Sequence, residues 1–91
     1  MKKIGYHVTN NLKSIEKDGY VLPKRLLNVY LTETLEGALN FQNNLGGADI
    51  VVAEYESKEV EAAWNPAYAG RKKVIKLKEG CGAKFVRVID R

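Results

Sequence analysis

Residues 4–20 read IGYHVTNNLKSIEKDGY, and the fold turns on whether this stretch is a strand running directly into a helix. Ile4, Tyr6 and Val8 alternate with Gly5 and His7, the two-residue period of a strand, so Lys3 to Val8 is expected to be extended. Asn10 or Asn11 then stands where a side-chain oxygen can cap a helix, Leu12 and Ile15 supply its apolar side, and Gly19 falls where a left-handed residue ends it. The only histidine of the chain, His7, therefore sits at the strand-to-helix junction.

The pattern repeats downstream. Tyr20 to Leu27, with Pro23, reads as a connection, and Asn28 to Thr32 as a second strand. Thr32 or Thr34 caps a second helix in which Leu35, Ala38, Leu39, Phe41 and Leu45 share one face before Gly46-Gly47 stops it. Asp49 to Tyr55 (DIVVAEY) begins with the continuous apolar run of an interior strand. Ser57 is expected to cap a helical turn through Val60 to Trp64, ended by Asn65-Pro66, with AYAGR as a loop. Val74 to Leu77 and Lys84 to Ile89 read as two strands closed into a hairpin by KEGCG. The sum is an α+β domain of about five strands and two or three short helices, one domain over residues 1–91.

Composition narrows the function. With 45% hydrophobic and 29% charged residues the chain has the make-up of a folded globular domain, and no apolar run is long enough to cross a bilayer or serve as a signal core. A cytoplasmic location and no membrane partner are expected. One cysteine, Cys81, and one histidine exclude an internal disulfide and the usual cysteine or histidine metal sets, so no metal is expected. The net charge of +4 is unevenly spread: residues 49–61 carry −4 and residues 71–91 carry +6. Arg71, Lys72, Lys73 and Lys76 form the start of that basic stretch, a patch that attracts phosphates, nucleic acid or an acidic protein, or else simply lysines that keep a sheet edge solvated. Phe85 alone is interleaved with the lysines, which argues against a single-strand stacking platform.

Glycine-rich phosphate loops, serine elbows and paired histidines are absent from the sequence. Taken singly, His7 at a strand end is most simply a hydrogen-bonded structural residue, Tyr30 a half-buried strand aromatic and Phe41 helix core. In order, however, YHVT, the capped helix ending in KDGY, NVYLTETLEGALNF and DIVVAEY form a longer pattern over roughly residues 4–56. That pattern resembles the ADP-ribosyltransferase fold of the histidine-tyrosine-glutamate type, which includes the poly-ADP-ribose polymerases and small bacterial and phage relatives. His7, Tyr30 and Phe41 match the family positions, Phe41 standing eleven residues after Tyr30.

The resemblance implies a split sheet and an NAD site in which NAD is the substrate. Catalytic positions would be His7, bonding a hydroxyl of the adenosine-side ribose, and Tyr30, which with Phe41 would sandwich the nicotinamide ring. The backbone of Val8 would bind the carboxamide, and Thr9 and Thr32 would be secondary hydroxyl donors. Two positions depart from the pattern. Ala38 replaces a carboxamide-binding serine, and RKKVIKL puts Lys72 or Lys73 where active relatives carry the glutamate, placing positive charge beside a developing oxocarbenium. Three readings follow: a minimal NAD-dependent mono-ADP-ribosyltransferase acting on a protein or nucleic-acid acceptor; an inactive nucleotide- or nucleic-acid-binding module; and a small phage-type interaction or inhibitor protein. Oligomeric state is not legible in the sequence.

Overall fold

The computed structural model describes residues 1–23, 27–44, 48–65 and 73–89. Arg71, Lys72, Leu45, Gly46-Gly47, Pro66 and the AYAGR stretch lie outside them. Seven strands and two α-helices follow in the order β1 (Lys2–Thr9), α1 (Leu12–Asp18), β2 (Tyr20–Val21), β3 (Tyr30–Thr32), α2 (Leu35–Asn44), β4 (Asp49–Glu56), β5 (Val60–Trp64), β6 (Val74–Leu77) and β7 (Ala83–Val88). The α+β class of the sequence reading holds, with seven strands among the described residues where about five were expected.

The strands are antiparallel in the spatial order β2-β7-β4-β1-β3-β6-β5. β1 and β4 pair along their whole length, from Lys2 opposite Glu56 to Thr9 opposite Asp49. By contrast, the ladder between β1 and β3 consists of the one pair Tyr6 and Thr32. The sheet is thus two halves, β2-β7-β4-β1 and β3-β6-β5, joined at a single point. Its curvature follows from chain length. Lys78–Gly82 connects β6 to β7 in five residues, and part of that is a turn closed by Cys81 N–H to the Lys78 carbonyl, with Gly80 at φ 82°. Crossing the three strands between them in a flat sheet would take about 19 Å of nearly straight chain. The halves therefore fold toward each other, and Leu77 and Ala83 meet in one core with Ile15, Val21, Val29, Leu31, Val51, Ala53, Tyr55 and Ile75.

Alternation assigns the two sheet faces. Val51, Ala53 and Tyr55 of β4 lie in that core under α1, whereas Val8 and Ile50 pack on the other face against Ala38 of α2, with Tyr6, Leu35, Leu39 and Phe41 around them. His7 consequently faces α1, and its neighbours Tyr6 and Val8 face α2.

Four local expectations are corrected. α1 has no side-chain cap from Asn11; instead the Asn11 N–H donates to Thr9 Oγ1 at 2.9 Å, so Thr9 rather than an asparagine shapes the entry. Tyr20–Val21 is a short strand paired with Lys84 and Ala83, not only connection. Val60–Trp64 is an edge strand after a 3-10 turn over Ser57–Glu59, not a helical turn; exposed nearly throughout, it lacks the apolar period that marks a strand. The expected β6–β7 hairpin does not form, because β6 pairs with β3 and β5 while β7 pairs with β2 and β4. Gly19 does end α1 as expected, at φ 75° with its N–H bonded to the Ile15 carbonyl.

Candidate functional site

A cleft of about 350 Å³ opens where β1 and β3 part, lined by His7 and Thr9 of β1, Asp18 of α1, Tyr20 and Asn28 among others. Strand divergence creates it. β1 and β3 are paired only at Tyr6 and Thr32, so Val8 has no ladder partner on β3 among the described residues, and the gap beyond is spanned by a side chain. That side chain is His7, whose Nδ1 lies 2.7 Å from the backbone carbonyl oxygen of Tyr30.

This bond fixes the state of the ring. A carbonyl only accepts, so the proton sits on Nδ1 and the neutral imidazole keeps its lone pair on Nε2. Burial of the ring pushes its pKa below the usual 6.5, with the bond to the Tyr30 carbonyl opposing in part. No buried side-chain nitrogen or oxygen lacks a partner among the described residues, so Nε2 reaches the accessible space of the cleft. At neutral pH the ring is an oriented acceptor for an O–H or N–H group.

Other polar groups in the cleft have related roles. Thr9 Oγ1 accepts from the Asn11 N–H and retains its own proton to donate. Asn28 gives its Nδ2 to the Leu77 carbonyl at 2.8 Å, which leaves its Oδ1 as an acceptor. Thr32 is different: its hydroxyl lies 3.1 Å from the Thr34 carbonyl and 3.4 Å from that of Tyr6, so its proton is engaged within the chain.

The expected site residues divide between two faces. His7 and Thr9 line the α1-side cleft. Tyr30 and Thr32 alternate with core residue Leu31 and so lie on the α2 face, where Phe41 packs beside the cluster of Val8 and Ile50. The two sets meet at the β1–β3 junction through the bond between His7 and Tyr30. On the α2 face Tyr30 meets Trp64 edge to face, with ring centroids 6.2 Å apart and planes at 89°. Trp64 is 40% exposed and was not singled out from sequence, because its strand was read as helical.

The basic patch is only partly described. Lys76 lies opposite Tyr30 in the β3–β6 ladder and holds Glu61 at 2.7 Å, a bond that raises the lysine pKa. Lys73 stands just before β6, 3.8 Å from Glu33. Both cations are therefore matched by carboxylates, and neither is a bare phosphate anchor. Arg71 and Lys72 fall outside the described residues. Asp18 and Tyr20 belong to KDGY, which the sequence marks only as a helix end, and Asn28 lies eight residues beyond; the fold brings the three to one cleft from α1, β2 and the approach to β3.

No group of three or more histidine, cysteine or acidic side chains suited to a metal occurs among the described residues, and no described helix is long and apolar enough to cross a membrane. Comparison of the chain with protein-family models, with curated proteins and with solved structures yields no match.

Proposed function

We propose that the His7 cleft is a dinucleotide site and that the chain is a small NAD-binding protein of ADP-ribosyltransferase type, transferring ADP-ribose to a protein or nucleic-acid acceptor. The observation that carries the reading is the oriented, neutral His7 at the mouth of a split sheet. Its Nδ1 is committed to the Tyr30 carbonyl and its Nε2 is open to the cleft, the arrangement a ribose hydroxyl requires of an acceptor. Val8, unpaired on the β3 side, has backbone groups to offer a carboxamide, as the family resemblance implies. The Tyr30 ring, steadied edge-on by Trp64, is an aromatic surface for nicotinamide, and Phe41 would close it from α2. Catalysis in such a site is largely positioning: the ends of NAD are held while the sugar carbon that loses nicotinamide meets the acceptor.

A second reading, binding without turnover, is favoured by Lys73. Its ammonium stands immediately before β6 where the resemblance calls for a glutamate, and a cation there opposes the charge that develops on the ribose. Its ammonium is paired with the Glu33 carboxylate at 3.8 Å.

Calorimetric titration with NAD, ADP-ribose and nicotinamide, paired with a nicotinamide-release assay, tests both. Binding that His7→Ala abolishes, together with release, supports the transferase; binding without release supports the second reading. Failure of every ligand to bind leaves His7 a residue of the fold or of a protein interface.

A further inference from the structure

The two edges of the sheet are built differently. At one end β2 is two residues long and runs into Pro23, and the stretch of β7 beyond it carries Arg87 and a break in register against β4 between Val52 and Ala53. A short strand, a proline, a charge and a bulge are features that keep an edge from pairing with another chain. That edge is blunted.

At the other end β5 pairs with β6, and its outer side has no ladder partner among the described residues. From Val60 to Trp64 it holds no lysine, arginine or proline. Its one charge, Glu61, is held by Lys76 of β6 at 2.7 Å, within the sheet. The irregularity in its ladder lies at the Val60 end, so Ala62, Ala63 and Trp64 follow β6 in step, opposite Lys76, Ile75 and Val74. All three are exposed. Backbone donors and acceptors along a regular edge of small residues are a template for one more strand.

We propose that β5 pairs antiparallel with β5 of a second copy of this chain, giving a two-fold dimer with one sheet running through both. The occupant follows from the sequence of the strand. A two-fold axis between antiparallel strands puts one residue opposite itself, and the central residues available are Ala62 and Ala63. With Ala62 on the axis, Glu61 lies opposite Ala63 and Trp64 opposite Val60; with Ala63 on it, Glu61 lies opposite Asn65 and Trp64 opposite Ala62. Neither register sets like charges against each other, and both give the indole an aliphatic neighbour, a cross-strand pair of the kind that stabilises a sheet. The same patch serves on both copies, so the pairing closes at two chains. Few residues take part on each side, and the dimer is therefore expected to be weak and concentration-dependent.

Sedimentation equilibrium of the whole chain tests this pairing. The average mass is expected to rise from that of one chain toward that of two as concentration goes from about 1 μM to about 1 mM, the range of weak complexes. A charge at the residue on the axis meets its own copy. Ala62→Glu, across the ladder from Lys76, and Ala63→Lys both change exposed positions and are expected to fold as wild type, and one of them is expected to hold the mass at one chain. Cysteine at that same alanine, with Cys81→Ser to remove the native thiol, is expected to give a disulfide-linked dimer on mild oxidation, because opposed Cα atoms lie about 4.5 to 5.5 Å apart. A mass that stays at one chain throughout, a dimer that survives both charged variants, or a dimer that cross-links at neither alanine overturns the proposal.

Discussion

The Nδ1 of His7 donates to the Tyr30 carbonyl at 2.7 Å, and it does so just where the ladder between β1 and β3 has ended at Tyr6 and Thr32. One side chain thus continues the junction of two half-sheets while turning its other nitrogen toward the cleft between them. Stability and the ligand binding proposed for the cleft would draw on the same protonation state.

A pH dependence follows from that coupling. The folded-state pKa of His7 is below the usual 6.5, so between the two values the unfolded chain binds the extra proton. Stability rises with pH wherever the unfolded state holds more protons, by up to about 1.4 kcal/mol per unit for one group. The His7 contribution is therefore full above the unfolded value, falls as pH drops below it toward the folded value, and levels off beneath that. Urea unfolding across this range is expected to show the decline in wild type and a flatter profile in His7→Gln. NAD affinity should fall at lower pH than this, as pH drops through the folded-state value and beyond it, because only there does Nε2 of the folded protein take up a proton and no longer accept.

Gly82 sets the distance between β2 and the chain entering β7. A Cβ placed there would lie 2.8 Å from the Val21 carbonyl oxygen and 3.0 Å from Leu22 Cδ2. Backbone on both sides has little room to give, so Gly82→Ala is expected to cost about 1 to 3 kcal/mol, as overpacking does. Val21 and Leu22 also line the His7 cleft, so the variant should weaken any cleft ligand beyond what lost stability explains. Unchanged urea midpoints and affinities would show that β2 shifts freely.

What could be read in advance was what local chemistry decides. Gly19 and Thr34 mark helix ends because a positive φ and a side-chain cap are properties of a few adjacent residues. Lys3 to Val8 and Asp49 to Tyr55 showed as strands because burial on the sheet leaves a pattern in the run itself. Pairing is different. VIKL and KFVRVI look like hairpin partners because a glycine-containing turn separates them, yet the strands they form join opposite halves of a folded sheet through contacts with β3, β5, β2 and β4. VEAAW carries no period because an edge strand exposed on both sides needs none. The site followed the same division: His7 stood out as a lone imidazole at a junction, whereas Asp18, Asn28 and Trp64 acquire meaning only through residues distant in sequence.

Thr34 caps α2 by accepting from the Gly37 N–H at 3.1 Å, while its carbonyl takes the Ala38 N–H at 3.2 Å. Removing the hydroxyl leaves an amide of the first turn without its partner. Thr34→Ala is expected to lower stability by about 1 kcal/mol, and Thr34→Ser to restore most of it. Equal unfolding midpoints for the three proteins would mean that water satisfies the helix end equally well.

The chain has one tryptophan, and Trp64 lies edge-on to the ring proposed to stack on nicotinamide. Indole emission responds to its polarity and to stacked neighbours, so Trp64 is a built-in reporter for Tyr30. If NAD places its nicotinamide on Tyr30, titration should shift or quench Trp64 emission, and nicotinamide alone should produce the same change at higher concentration. ADP-ribose, which lacks the ring, should bind with little optical effect. Tyr30→Ala removes the edge contact, worth about 0.5 to 1.5 kcal/mol for an aromatic pair, and should abolish the response while leaving ADP-ribose binding in place. NAD that binds with full affinity but leaves Trp64 silent would put the nicotinamide elsewhere and confine the ligand to the α1-side cleft. A response to ADP-ribose equal to that of NAD would point instead to a movement of the β3-β6-β5 half, transmitted through the bond between His7 and the Tyr30 carbonyl.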